Sequence, residues 1–164
     1  MNQEIAKLVV SPTDACLAHW INYFNENELL DWAEEHARMN SDVNSDSPLF
    51  QMLWLNRKTV HRDTRLGQLI ESYALDFDPA FDIKSASAEI VARRLFEARL
   101  RAYLDEQCRP WDVCKMINPI EELFDFPRWL GDMYNLCDWI EPETRPVECR
   151  HLEHGIRKHL DHSE

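Results

Sequence analysis

Residues 86–106 read ASAEIVARRLFEARLRAYLDE, and the spacing within them decides the fold class. The stretch holds neither glycine nor proline, and its apolar residues recur at helical intervals without alternating. Ile90, Val91, Leu95, Ala98, Ala102 and Tyr103 fall on one side, with Arg93, Arg94, Arg99 and Arg101 around the rest. Glu89 with Arg93, and Glu97 with Arg101, are i,i+4 pairs in the favourable order. The pattern predicts the longest helix of the chain, from about Ala86 to Glu106.

On its amino-terminal side the chain carries repeated helix-start signals. Ser11-Pro12-Thr13-Asp14 offers a capping serine, a proline suited to the first turn and an acid placed to close a capping box. Leu17, Trp20, Ile21 and Phe24 follow at helical spacing. Asn25 with Glu28 opens a second helix that buries Leu29, Leu30, Trp32, Ala33 and Ala37, with Glu28, Asp31, Glu34 and Glu35 outward. Residues 40–47, NSDVNSDS, read as a surface loop, and Ser47-Pro48 repeats the cap-then-proline signal. Phe50, Leu53, Trp54 and Val60 are expected to form the next buried stripe. Asp63 is expected to cap a helix carrying Leu66, Leu69, Ile70 and Tyr73, ahead of a loop over 76–82.

On the carboxyl-terminal side prolines divide the chain. A short helix is expected around Val113 to Ile117, and another begins at Asn118-Pro119. Phe126-Pro127 leads into a helix holding Trp129, Leu130, Met133, Tyr134, Leu136 and Cys137. Pro142 stops it, and Pro146 opens a last helix buried along Leu152, Ile156 and Leu160. No segment alternates apolar and polar residues as a half-buried strand does. The expectation is one all-α domain over 1–164, an irregular bundle of six to eight helices.

Composition narrows the function. The 164 residues carry thirty acids against eighteen bases, for a formal charge of −12. Acid is concentrated at the two ends of the chain, around a more basic middle. Such a charge repels nucleic acid and anionic membrane and attracts basic partners, although acidity also serves solubility alone. The only glycines are Gly67, Gly131 and Gly155, and no phosphate-cradling motif is present. MNQEIAKLVV is too short in apolar residues for a secretory leader, and no stretch approaches a membrane span. A cytoplasmic location is expected, with Cys16, Cys108, Cys114, Cys137 and Cys149 reduced and partly buried.

Catalytic groupings are weak. Cys149, His151 and His154 lack zinc-ligand spacing, and helix-end histidines on the surface explain them more simply. Cys114 beside Lys115 and Cys137 beside Asp138 lie within apolar periodicity, where buried structural thiols are usual. Adjacent acids such as Glu34-Glu35 and Glu121-Glu122 point about 100° apart on a helix and cannot flank one bond. No cofactor or metal is expected, and the chain is read as a binding protein without enzymatic activity. Most of the six tryptophans suit core packing. Trp139, between Asp138 and the acids Glu141 and Glu143 at a helix end, suits an interface anchor for a basic partner.

Three stretches carry a family resemblance: CKMINPIEELF at 114–124, FPRWLG at 126–131 and LCDWIE at 136–141. They resemble the carboxyl-terminal part of small bacterial immunity proteins, encoded beside polymorphic or contact-dependent toxins. The resemblance implies a cytosolic antidote that covers the basic substrate cleft of a toxin domain, in many cases a nuclease. The candidate partner-binding residues are Asp31, Glu34 and Glu35, and then Glu121, Glu122, Asp138, Trp139, Glu141 and Glu143. Two other classes stay open: a helical adaptor with a different basic partner, and a small metal-dependent enzyme using His61, His151 or His154.

Overall fold

The computed structural model describes residues 8–40, 44–55 and 62–161, with backbone alone for 62 and 63. All regular structure among them is helical, as the spacing predicts. The helices are α1 (Pro12–Trp20), α2 (Glu26–Met39), α3 (Pro48–Leu53), α4 (Arg62–Phe77), α5 (Ala86–Leu104), α6 (Pro110–Cys114), α7 (Ile117–Phe124), α8 (Met133–Cys137) and α9 (Arg150–Asp161). Two 3-10 turns, Arg128–Leu130 and Pro146–Glu148, precede α8 and α9. The chain forms two compact units, one of Met1–Trp20 with Phe24–Ala88, the other of Ile21–Tyr23 with Glu89–Glu164.

In the first unit the local start signals do their expected work. Ser11 Oγ accepts from the Asp14 amide at 3.1 Å while the Asp14 carboxylate takes the Ser11 amide. Asn25 and Glu28 close a reciprocal capping box, and Ser47 Oγ accepts from the Phe50 amide. Each such cap satisfies an amide that the first helical turn leaves without a partner. Helix α4 packs on α1 and α3, and α2 packs on the same two helices. Leu17, Phe24, Leu29, Leu49, Met52, Leu66 and Ile70 are fully buried between them. Trp32 Nε1 donates to the Val9 carbonyl at 3.1 Å, tying the segment before α1 to α2.

Several expected faces turn out differently. Trp54 is 75% exposed, and the buried side of α3 is Leu49 with Met52. Among the described tryptophans only Trp32 belongs to the core; Trp20, Trp54 and Trp139 are exposed, and Trp111 and Trp129 are half-buried. Ala37 is also half-buried. Val60 and the side chain of Asp63 lie outside the described residues. Helix α4 continues to Phe77, two residues into the expected loop.

The second unit is built on α5, which ends at Leu104. Its buried stripe runs through Ala88, Ala92, Leu95, Phe96, Arg99, Leu100 and Tyr103, while Ile90 is 71% exposed. Helical spacing alone does not select between adjacent faces; the face that neighbouring helices cover is set by packing. Arg99, expected outward, is only 8% exposed. Downstream, the expected helix over 129–137 is broken at Gly131, whose φ of +55° suits glycine and halts the helix. The short helix near residue 113 begins at Pro110, and the last begins at Arg150, after the 3-10 turn that Pro146 opens.

The cysteines also differ from expectation. Cys114 and Cys137 form a disulfide with Cα atoms 5.3 Å apart, joining the ends of α6 and α8; Cys16, Cys108 and Cys149 are free. Apolar periodicity shows that a cysteine is buried but not which sulfur lies opposite it, so the pairing depends on tertiary packing.

Candidate functional site

Of the carboxyl-terminal candidates, Glu121 and Glu122 lie on α7, and Asp138, Trp139, Glu141 and Glu143 lie on the segment that follows disulfide-bonded Cys137. Helix α7 carries Glu121, half-buried, and Glu122, exposed, and it packs on α8. Helix α8 ends at Cys137, and the chain then turns through Asp138, Trp139, Ile140 and Glu141. Ile140 is buried, and its amide donates to the Cys137 carbonyl at 3.0 Å. The Glu141 amide donates to Thr144 Oγ1 at 2.9 Å, and the Thr144 amide returns to the Glu141 carbonyl. Disulfide, buried isoleucine and turn hydrogen bonds therefore hold this short segment at several points. Trp139 projects from it 81% exposed, the most exposed large hydrophobic side chain among the described residues. Asp138, Glu141 and Glu143 are all exposed around it in sequence.

Beside the turn lies a hollow of about 480 Å³, walled by the disulfide, Trp111, Tyr134, Asp138 and Ile140. Asn22, at φ +57°, donates from Nδ2 to the Lys115 carbonyl at 3.1 Å on the same rim. Asp112 holds the base of α6: its carboxylate accepts from the Arg109 amide and lies 3.3 Å from Lys115 Nζ. Burial raises its pKa, but the Arg109 and Lys115 contacts outweigh burial and keep it below the ordinary carboxylate value.

The amino-terminal candidates belong to the first unit. Glu34 is exposed, while Asp31 and Glu35 are half-buried on α2. Arg38 lies 3.9 Å from Glu34 and 3.4 Å from Glu35, so part of their charge is balanced within the helix. Exposed ion pairs of this kind still leave both groups accessible to water and to a partner. Phe50 and Trp54, expected in a buried stripe, instead pair with centroids 5.9 Å apart and edge a shallow hollow of about 370 Å³ beside Arg65. Its signal in the sequence is an amphipathic helix too short to bury two aromatics as well as Leu49 and Met52.

Among the described residues the free thiols are raised in pKa and the histidines do not converge with them. Burial pushes the Cys16 thiol up to about 12, with the Glu71 carboxylate adding to the effect and a Trp20 contact opposing it. Cys108 and Cys149 are also raised, chiefly by burial, which opposes the nucleophilic thiolate. His151 and His154 lie exposed on α9, and His61 is outside the described residues. Among the described residues no three His, Cys, Asp or Glu side chains converge as a metal-ligand set. No described helix is long and apolar enough to cross a membrane. No protein-family model, curated protein or solved structure matches this chain.

Proposed function

We propose that this chain is a non-catalytic binding protein, an antidote that engages a basic toxin domain through the acidic surface around Trp139. The observation that carries the reading is the exposure of Trp139 on a pinned turn beside Asp138, Glu141 and Glu143. A tryptophan brings large apolar area at low entropic cost, and it favours the centre of an interface. Carboxylates around it steer a cationic partner and raise the association rate, in keeping with the −12 charge of the chain. The resemblance of 114–141 to immunity proteins covers this same segment, and it suggests a nuclease cleft as the surface covered. Buried Ile140 and the Glu141–Thr144 hydrogen bonds also hold the turn, and neither involves the disulfide.

The test is capture of partners by the tagged protein from its source cells, first at low and then at high salt. The expected result is a basic toxin domain that is released as salt rises, and that is not retained by Trp139→Ala or by Glu141→Lys with Glu143→Lys. Equal retention of the same partner by these variants would place the interface elsewhere. Capture of a basic protein that is no toxin would favour an adaptor.

A further inference from the structure

A second cavity, of about 750 Å³, lies wholly within the carboxyl-terminal unit, and its charge runs against that of the chain. One wall is α9, which turns His151, His154 and Lys158 toward it at i, i+3 and i+7 spacing. The 3-10 turn Arg128–Leu130 contributes Arg128 and Trp129, and α5 contributes Arg93. Three fixed cations thus face the cavity against a single lining carboxylate, Asp132. Arg93 is held by Glu97 at 2.8 Å, but Arg128 and Lys158 have no hydrogen bond or ion pair among the described residues. Two like charges left unpaired on one cavity, in a chain rich in acids able to neutralise them, are poised for an anion from outside.

The wall also carries apolar side chains held in place, with His159 beside them. Trp129 donates from Nε1 to Glu89 at 2.9 Å, and its ring lies 6.1 Å from Phe96, so the indole is fixed from two sides. Buried Met133 and half-buried Leu136 continue this surface. His151 Nε2 lies 3.2 Å from the Leu136 carbonyl and orients that ring at the rim. Gly155 lets Leu136 pack directly against α9, because a Cβ there would meet Leu136 Cδ2 at 2.9 Å and Cγ at 3.1 Å. The volume falls in the range of small-molecule sites, which pair an apolar lining with a few convergent polar groups.

We propose that this cavity binds a small organic phosphate, its anionic head between Arg128 and Lys158 and its apolar or planar body against Trp129, Met133 and Leu136. The head meets two unpaired cations with His154 beside them, which suits a dianion better than a single carboxylate. The site is separate from the turn that carries Trp139, so it does not depend on the partner proposed above.

Calorimetric titration of the full chain with phenyl phosphate tests it, beside inorganic phosphate and phenol as the two halves of that probe. Saturable one-site binding of phenyl phosphate is expected, with each half weaker by at least about tenfold. Arg128→Gln with Lys158→Gln is expected to weaken phenyl phosphate by at least about tenfold, through lost charge-assisted hydrogen bonds, without lowering the melting temperature. Both cations are exposed and unpaired, so the double variant is expected to fold. Trp139→Ala is expected to bind the probe as the parent does. No binding at millimolar phenyl phosphate, equal binding of inorganic phosphate, or undiminished binding by the double variant would each overturn the proposal.

Discussion

The guanidinium of Arg99 donates from Nη2 to the Tyr23 carbonyl at 2.6 Å and lies over the Tyr23 ring, with Cζ 4.5 Å from its centroid. One buried side chain of α5 thus clamps both the backbone and the ring of a residue 76 positions earlier. A charge-assisted hydrogen bond and a desolvated cation–π contact together offset part of the cost of burying the cation, whose Nε makes no hydrogen bond among the described residues.

Arg99→Met is therefore expected to destabilise the protein by about 2–4 kcal/mol, since it removes the charge-assisted hydrogen bond to the Tyr23 carbonyl and the cation–π contact with its ring. Arg99→Lys, which keeps the charge but not the planar fork, is expected to fall between. Urea unfolding measures this, and a midpoint unchanged in Arg99→Met would show that the clamp contributes nothing.

The Cys114–Cys137 bond closes a loop of sequence separation 23, for which loop-closure entropy predicts a contribution of about 3 kcal/mol. Cys114→Ser with Cys137→Ser, or a reducing agent, is expected to lower the melting temperature accordingly. Thiol titration of the oxidised protein in denaturant should count three free cysteines of the five. A count of five in protein purified without reductant would contradict the bond.

Gly155→Ala is expected to destabilise by about 1 kcal/mol, although alanine is the better helix former. The added methyl meets three atoms of Leu136, so the leucine must swing toward the cavity or α9 must lift from α8. Thermal unfolding reads the first quantity. Phenyl phosphate affinity reads the second, and it is expected to fall as Leu136 enters the space. A stabilised variant with unchanged affinity would refute the close contact.

Burial lowers the pKa of His36, stacked on Trp32 at 4.7 Å and edge-on to Tyr73 at 5.9 Å, below its ordinary 6.5. Burial also lowers His159, with Glu97 opposing and Arg93 adding to the shift. Both groups bind their proton more readily in the unfolded chain, so stability is intact above about pH 6.5 and declines as pH falls below it. Denaturation midpoints at pH 7.5 and 5.5 should differ in that direction, and less so in His36→Gln with His159→Gln. An identical slope in that variant would remove these histidines from the account.

Features that depend on neighbours within a helical turn or two are legible along the chain. Ser11, Asn25 and Ser47 cap the helices that follow them, because a cap needs only the backbone three residues ahead. The all-helical class, the −12 charge and the exposed Trp139 among acids were legible on the same footing. Choices between equivalent faces, and the meetings of distant residues, come from long-range packing. Ile90 and Trp54 fit a buried stripe as well as Ala92 and Met52 do, and packing against other helices chose between them. Arg99 reads as a surface base until Tyr23 is laid beside it, and Cys114 has no evident partner until α6 and α8 end together. The cationic cavity gathers Arg93, Arg128 and Lys158 from three separate segments, and no spacing along the chain records that they meet. Helical periodicity reports which residues share a face, whereas packing alone sets what that face encounters.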